Sequence, residues 1–246
     1  MNFFSFLLGC GASLGLIRVL TCSRKTERIR WLGAGLIVLL GALIGSRMVF
    51  VLYSFEYYRS RPVEALNVFQ GGLSWWGAIL GAIFFTYFLK GLFRGSFRFG
   101  LDKFSLLLLP LGTMVWVGCW QAGVAYGRVL ESGTWWGMMI KDEAGAQTLR
   151  VPVQGLAVLT LLIGLGIVEF LIRPVELAGV KAGVVGLTFS LHGTLFSILR
   201  ADPVQRLLSL RVDTWAAVLF VFGSALFLFI ILKQQKRKEF QMDGAI

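Results

Sequence analysis

The stretch LGAGLIVLLGALIGSRMVFVLY, Leu32 to Tyr53, runs for 22 residues with a single charge, Arg47. As an α-helix it measures about 33 Å at 1.5 Å per residue, enough to cross the roughly 30 Å of hydrocarbon in a bilayer. Six further stretches of the same character lie at 3–20, 73–89, 104–126, 153–172, 182–199 and 214–232. The whole chain of 246 residues is 57% hydrophobic and 15% charged, too apolar for a soluble domain of this length. The expectation is an all-α integral membrane protein, a seven-transmembrane-helix bundle in which each backbone polar group is satisfied within its own helix. No long linker or low-complexity segment interrupts it, so residues 1–246 read as a single domain.

A net charge of +11 would suit nucleic acid if the cations formed one face, but they collect at the ends of alternate spans. Arg24, Lys25, Arg28, Arg30, Lys90, Arg94, Arg98, Lys103, Arg173, Lys181, Lys233, Lys236, Arg237 and Lys238 occupy one set of loops, against Arg59, Arg61, Arg128, Lys141, Arg150, Arg200, Arg206 and Arg211 on the other. Short loops richer in Lys and Arg stay cytoplasmic. This places the N-terminus outside and the C-terminus in the cytoplasm, and makes nucleic acid an unsuitable partner. The opening MNFFSFLLGCGASLGL lacks a basic n-region and reads as the first span instead of a secretory signal. Three cysteines, Cys10, Cys22 and Cys119, and one histidine make a Cys/His metal site a poor reading, and no cofactor is expected.

Small residues four apart let helices approach closely in lipid, and glycines recur at that spacing at 11/15, 41/45, 77/81 and 179/183. The longer, aromatic-rich connections lie on the outer side, so a site would face outward. Arg47 is the most informative residue, because a guanidinium within a span is costly without a partner. It either snorkels to the headgroups or faces the interior and clamps a phosphate, the ligand its planar fork fits. Gly71 and Gly72, before the third span, either form a plain turn or aim backbone amides at an anion. His192, the single imidazole, is either a proton-transfer group or a neutral histidine bonded to a neighbouring helix. Arg200, Asp202, Arg206 and Arg211 read as a phosphate-attracting rim or as a solvated loop.

Taken in order, the segments resemble the prolipoprotein diacylglyceryl transferase family. LLGALIGSRMVFVLYSFEYYRSRPVEALNVFQGGLSWWGAILGA (39–82) is similar to its second and third helices with their Gly-Gly-Arg and QGG runs. LPLGTMVWVGCWQAGVAYGR (109–128) looks like the signature helix, VPVQGLA (151–157) stands where members show His-Pro-Ser/Thr-Gln, and SILRADP (197–203) sits where the penultimate helix ends. The match is strongest over 41–82. The resemblance implies a multi-pass protein of the bacterial plasma membrane that binds phosphatidylglycerol and transfers its diacylglyceryl group to the lipobox cysteine of a preprolipoprotein, releasing glycerol phosphate.

The residues that keep the family pattern, Arg47, Gln70, Gly71, Gly72, Tyr126, Gly127, Gln154 and Arg200, fit the lipid-binding half of that reaction. The chemical half is altered. Trp76 replaces a histidine, Trp116 the signature arginine, Cys119 an asparagine and Val151 a second histidine, and Ser197 or Arg200 falls in the column of a glutamate. A departing phosphate needs a positive donor and an attacking thiol needs help to ionise; an indole supplies neither charge nor a basic nitrogen. Three readings follow: a member that holds a phosphatidylglycerol-like lipid with transfer lost or weakened, an active transferase in which His192 and Arg200 take over catalysis, or a structural subunit of a membrane complex. A preprolipoprotein signal segment or such a complex is the protein partner these readings name.

Overall fold

The computed structural model describes residues 3–68, 71–93 and 96–243. Among them seven helical stretches are long and apolar enough to cross a membrane: Phe3–Thr21, Lys25–Tyr53, Trp75–Leu92, Phe97–Ala122, Val153–Leu171, Val180–Leu199 and Val212–Lys238. These are the seven spans expected. The chain divides into two compact units, 1–118 and 119–246.

The first unit is built on α1 (Phe3–Thr21), α2 (Arg28–Tyr53), the short α3 (Phe55–Arg59), α4 (Trp75–Phe88), α5 (Phe97–Phe104) and the start of α6 (Leu108–Ala122). Its core gathers Val19, Trp31, Ala34, Val38, Phe104 and Leu107, with the Trp31 ring edge-on to Phe99 and Phe104 at 5.8 and 5.9 Å. The fourth span begins seven residues earlier than the hydropathy indicates, because α5 is amphipathic: Gly100 and Phe104 are buried while Arg98, Asp102 and Lys103 keep to the outside of that core. Ser96 caps α5 by accepting from the Phe99 N–H at 3.3 Å. Pro110 has no N–H to return to the carbonyl four residues back, at Leu106. Arg18 of α1 donates to that carbonyl instead, at 3.0 Å, which gives this cation a partner inside the first span.

The glycine pairs of α2 and α4 face one another. A Cβ on Gly45 would lie 2.5 Å from the Gly77 carbonyl oxygen and 2.8 Å from the Gly81 Cα, and one on Gly77 would lie 2.6 Å from the Gly45 carbonyl oxygen. The obstacles are backbone, which cannot rotate away. Gly45→Ala is therefore expected to force the two helices apart and to cost about 1–3 kcal/mol, the range for overpacking. Gly166→Ala, where no atom stands within 4 Å, should leave thermal unfolding in detergent unchanged or raise it slightly; equal melting of the two variants would refute the close crossing.

The second unit holds α7 (Val153–Leu171), α8 (Val180–Leu199) and α9 (Val212–Asp243), with two hairpins between spans. Val153, Ala157, Leu161 and Leu165 form a buried stripe on α7 at four-residue spacing. α8 packs on α9 through Gly183, where a Cβ would stand 2.6 Å from Leu228 Cγ. One hairpin pairs β1 (Met138–Lys141) with β2 (Gln147–Arg150), and the other pairs β3 (Arg206–Leu207) with β4 (Leu210–Arg211). The chain after α6 then pairs with the end of α8 through an antiparallel bridge between Gly127 and Arg200, reinforced by the Ala201 N–H donating to the Tyr126 carbonyl at 2.8 Å. α9 outruns its expected span: 32 residues make about 48 Å of helix, and nothing in KQQKRKEFQMD breaks it.

Candidate functional site

Arg47 is buried, with 5% of its surface exposed, so it does not snorkel to the headgroups. It is fastened to the segment that follows α2. Nε donates to the Ala65 carbonyl at 2.8 Å, Nη2 to Glu64 O at 2.7 Å, and Nη1 to Gly71 O at 2.6 Å and Gly72 O at 3.1 Å. The Tyr58 and Phe50 rings flank the guanidinium at 5.2 and 5.8 Å. Four of its five N–H groups thus serve the chain's own carbonyls. Gly71 and Gly72 adopt φ of +85° and +74°, the left-handed region that favours glycine, and their carbonyls turn onto Arg47. A Cβ on Gly72 would also strike the Phe50 ring. The segment is tied by backbone as well, the Ser74 N–H donating to Ser46 O at 3.2 Å. Gln70 lies outside the described residues. Trp76 sits half-buried in the first turn of α4, where the Ser74 hydroxyl accepts from the Gly77 N–H at 3.3 Å. Trp116 is half-buried on α6.

In the second unit the remaining family positions come together. Tyr126 and Gly127 lie beside Arg200 through the antiparallel bridge. Gln154 is fully buried and its Nε2 donates to Val124 O at 3.0 Å, while Oε1 has no hydrogen-bond partner among the described residues. Val151 packs against Gly127, where a Cβ would stand 2.6 Å from the Val151 carbonyl oxygen. Cys119, half-buried, is within electrostatic reach of Arg200.

Arg200 is not an open cation. Its Nε and Nη2 grip both oxygens of Asp202 at 2.9 and 2.7 Å, and Nη1 stands 3.7 Å from Asp213. Arg211 donates to the Asp202 carboxylate at 3.1 Å and to its carbonyl at 2.8 Å. Burial would raise the Asp202 carboxyl, but the hydrogen bond and charge of Arg200, with Arg211 added, outweigh it and hold the group below its ordinary 3.8. Burial and the charge of Arg200 push Arg211 below its ordinary value. Of the four residues read as a rim or a loop, the half-buried Arg200 and the buried Asp202 and Arg211 instead form an ion network, and Arg206 alone is exposed. Ser197 is buried too, sharing a 2.7 Å hydrogen bond with Thr214.

His192 belongs to a different contact set, eight residues and about 12 Å along α8 from Arg200. Its Nε2 is 3.1 Å from the Ala157 carbonyl and 3.2 Å from Thr160 Oγ1 on α7, and its ring lies 4.4 Å from Phe196. A carbonyl can only accept, so Nε2 carries the proton there. The bond to a neighbouring helix, one of the two alternatives read for this residue, is the arrangement present. Arg150 was not singled out by the sequence. It stacks on Tyr126 at 4.3 Å and reaches Asp142 at 3.3 Å, and no motif around it signals that role.

A family model described as Prolipoprotein diacylglyceryl transferase matches residues 1–230. Phosphatidylglycerol–prolipoprotein diacylglyceryl transferase of Thermoanaerobacter sp. is 35% identical over 85 residues, 32% of this chain and 31% of that protein. The proteins of the same name from Cupriavidus necator and Bacillus mycoides are 31% identical over 117 residues and 27% over 159, covering 47% and 62% of this chain. The aligned stretches span 31%, 42% and 51% of these three relatives' own lengths.

Proposed function

The chain belongs to the prolipoprotein diacylglyceryl transferase family and is a multi-pass protein of the bacterial plasma membrane; from that premise we propose that it binds a phosphatidylglycerol-like lipid on its outer side and has lost diacylglyceryl transfer. One observation carries the reading: both cations at family positions are engaged internally, Arg200 by the Asp202 carboxylate and Arg47 by four carbonyls. A phosphate leaving group needs a donor aimed at its developing charge, and a ligand phosphate would first have to displace a bidentate carboxylate. Trp76, Trp116 and Val151 remove further groups that could protonate, deprotonate or neutralise. Lipid binding is supported by Gln154 Oε1, a buried acceptor lacking a donor among the described residues, which a glycerol hydroxyl of the headgroup can supply. The orientation with the N-terminus outside, read from the loop charges, is part of this proposal, as is a preprolipoprotein signal segment or a membrane complex as protein partner.

An active transferase, with His192 and Arg200 in catalytic roles, is the second reading, favoured by the names that the relatives carry. The two separate in phosphatidylglycerol nanodiscs incubated with a synthetic lipobox peptide and read by mass spectrometry. Removal of even one donor of this kind slows such chemistry about 100- to 1000-fold. The expected result is no diacylglyceryl mass gain on the cysteine where an active relative gives one, with phosphatidylglycerol retained by the purified protein in native mass spectra. A mass gain comparable with the relative's would overturn the proposal.

A further inference from the structure

The two-residue loop between β3 and β4 is Leu208-Ser209, since Leu207 pairs with Leu210 and Arg206 with Arg211. Both loop residues have positive φ, +50° and +67°, as the tight type I′ hairpin turn demands and as Asn-Gly ordinarily satisfies. A leucine there is in a sparsely populated conformation, and it is spent on exposure: Leu208 is 79% exposed and Leu207 58%, with Leu210 also exposed. Strain that presents three apolar side chains to water would be wasted in an aqueous loop.

The hairpin's position gives the surroundings. It joins two spanning stretches, Val180–Leu199 and Val212–Lys238, and the whole connection between them is residues 200–211, so neither base can stand far from the bilayer. It also leans toward α9: the Trp215 indole, one turn inside that spanning helix, donates to the Leu207 carbonyl at 2.9 Å. Tryptophan at a span's outermost turn marks the headgroup level, and Leu207 is tied to that depth. The base is braced by Arg211, which holds the Asp202 carbonyl and carboxylate, while Arg206 is exposed beside the leucines, suitably placed for a lipid phosphate.

We infer that the Arg206–Arg211 hairpin is a membrane wedge, with Leu207, Leu208 and Leu210 inserted among the acyl chains of the leaflet at that end of α8 and α9. The partner is the hydrocarbon of the bilayer itself, so the contact forms without any other protein and does not depend on the proposed headgroup site.

Photolabelling tests this on the full chain in nanodiscs of phosphatidylcholine carrying a diazirine in the upper part of one acyl chain, with no other membrane protein present. Trypsin releases the hairpin tip as Leu207–Arg211 and the start of the last span as Val212–Lys233, which holds the lipid-exposed Leu219 and Phe222. Label on both peptides is the expected result. Label on Val212–Lys233 alone would overturn the wedge and leave the leucines as a surface for a protein partner. The double substitution Leu208→Asn with Ser209→Gly keeps the turn and relieves its backbone; it should lower labelling of the tip several-fold while the span peptide is unchanged. Undiminished labelling of the tip would also overturn it.

Discussion

Arg47→Met is expected to unfasten the segment that follows α2 in the first unit and to lower the stability of that unit by about 3 kcal/mol. Four carbonyl oxygens at Glu64, Ala65, Gly71 and Gly72 lose their donor together, and an orphaned buried group costs about 1–3 kcal/mol. Relief of the buried guanidinium's desolvation offsets part of that sum. Arg47→Lys recovers little, since one ammonium cannot span a fan of acceptors that a planar fork reaches. The measurement is thermal unfolding in detergent together with trypsin cleavage after Arg59, exposed in the segment between α2 and the residues that Arg47 holds. Faster cleavage there with a lower melting temperature is the expected pair of results; wild-type values for both would mean that the four bonds contribute nothing.

Asp202→Asn should be at least as severe. The carboxylate is 5% exposed and serves Arg200 and Arg211 at once, so its loss leaves two guanidinium groups facing each other with only the more distant Asp213, 3.7 Å from Arg200, as counter-charge. Breaking a buried ion pair from one side costs about 3–5 kcal/mol. The pH dependence has a definite sign. Because the folded-state carboxyl is held below its ordinary 3.8, its contribution is complete above that value and is lost as pH falls through it toward the depressed value. The difference in stability between wild type and Asp202→Asn should therefore be constant near neutrality and shrink below about pH 4. A difference that persists undiminished to the acid end would mean that Asp202 stabilises by shape instead of by charge.

What could be read in advance follows from what a sequence encodes along one dimension. Apolar length is such a quantity, and the seven spans were legible from it; the start of the fourth was not, because FRFGLDKF is an amphipathic helix that hydropathy averages away. The glycines at 41/45 and 77/81 announced close packing, whereas their pairing with each other depends on the antiparallel course of α2 and α4. Arg47 stood out as a lone cation in a span, yet its partners are carbonyls, which every residue has and no letter marks. The members of the Arg200–Asp202–Arg211 network were all noticed as charges in one loop. That they close on one another, leaving Arg206 outside, is decided by the β3–β4 turn and could not be read from spacing. Arg150 and Tyr126 lie 24 positions apart in the chain and carry no shared pattern.

The ties of Arg47 also bear on how the chain enters the bilayer. Its acceptors lie 17 to 25 residues further along the polypeptide, so when α2 leaves the ribosome the guanidinium has none of them. A charged side chain at the centre of a nascent span opposes insertion by about 2.5–3.5 kcal/mol, and Arg47, six residues before the end of α2 at Tyr53, bears part of that cost. The twelve residues from Leu36 to Arg47 are otherwise rich in leucine, isoleucine, valine and glycine, and they must carry the cation until the segment up to Gly72 has emerged. Final seating of α2 is thereby coupled to synthesis of the loop behind it, and a chain arrested between the two would hold this helix less firmly than its composition implies.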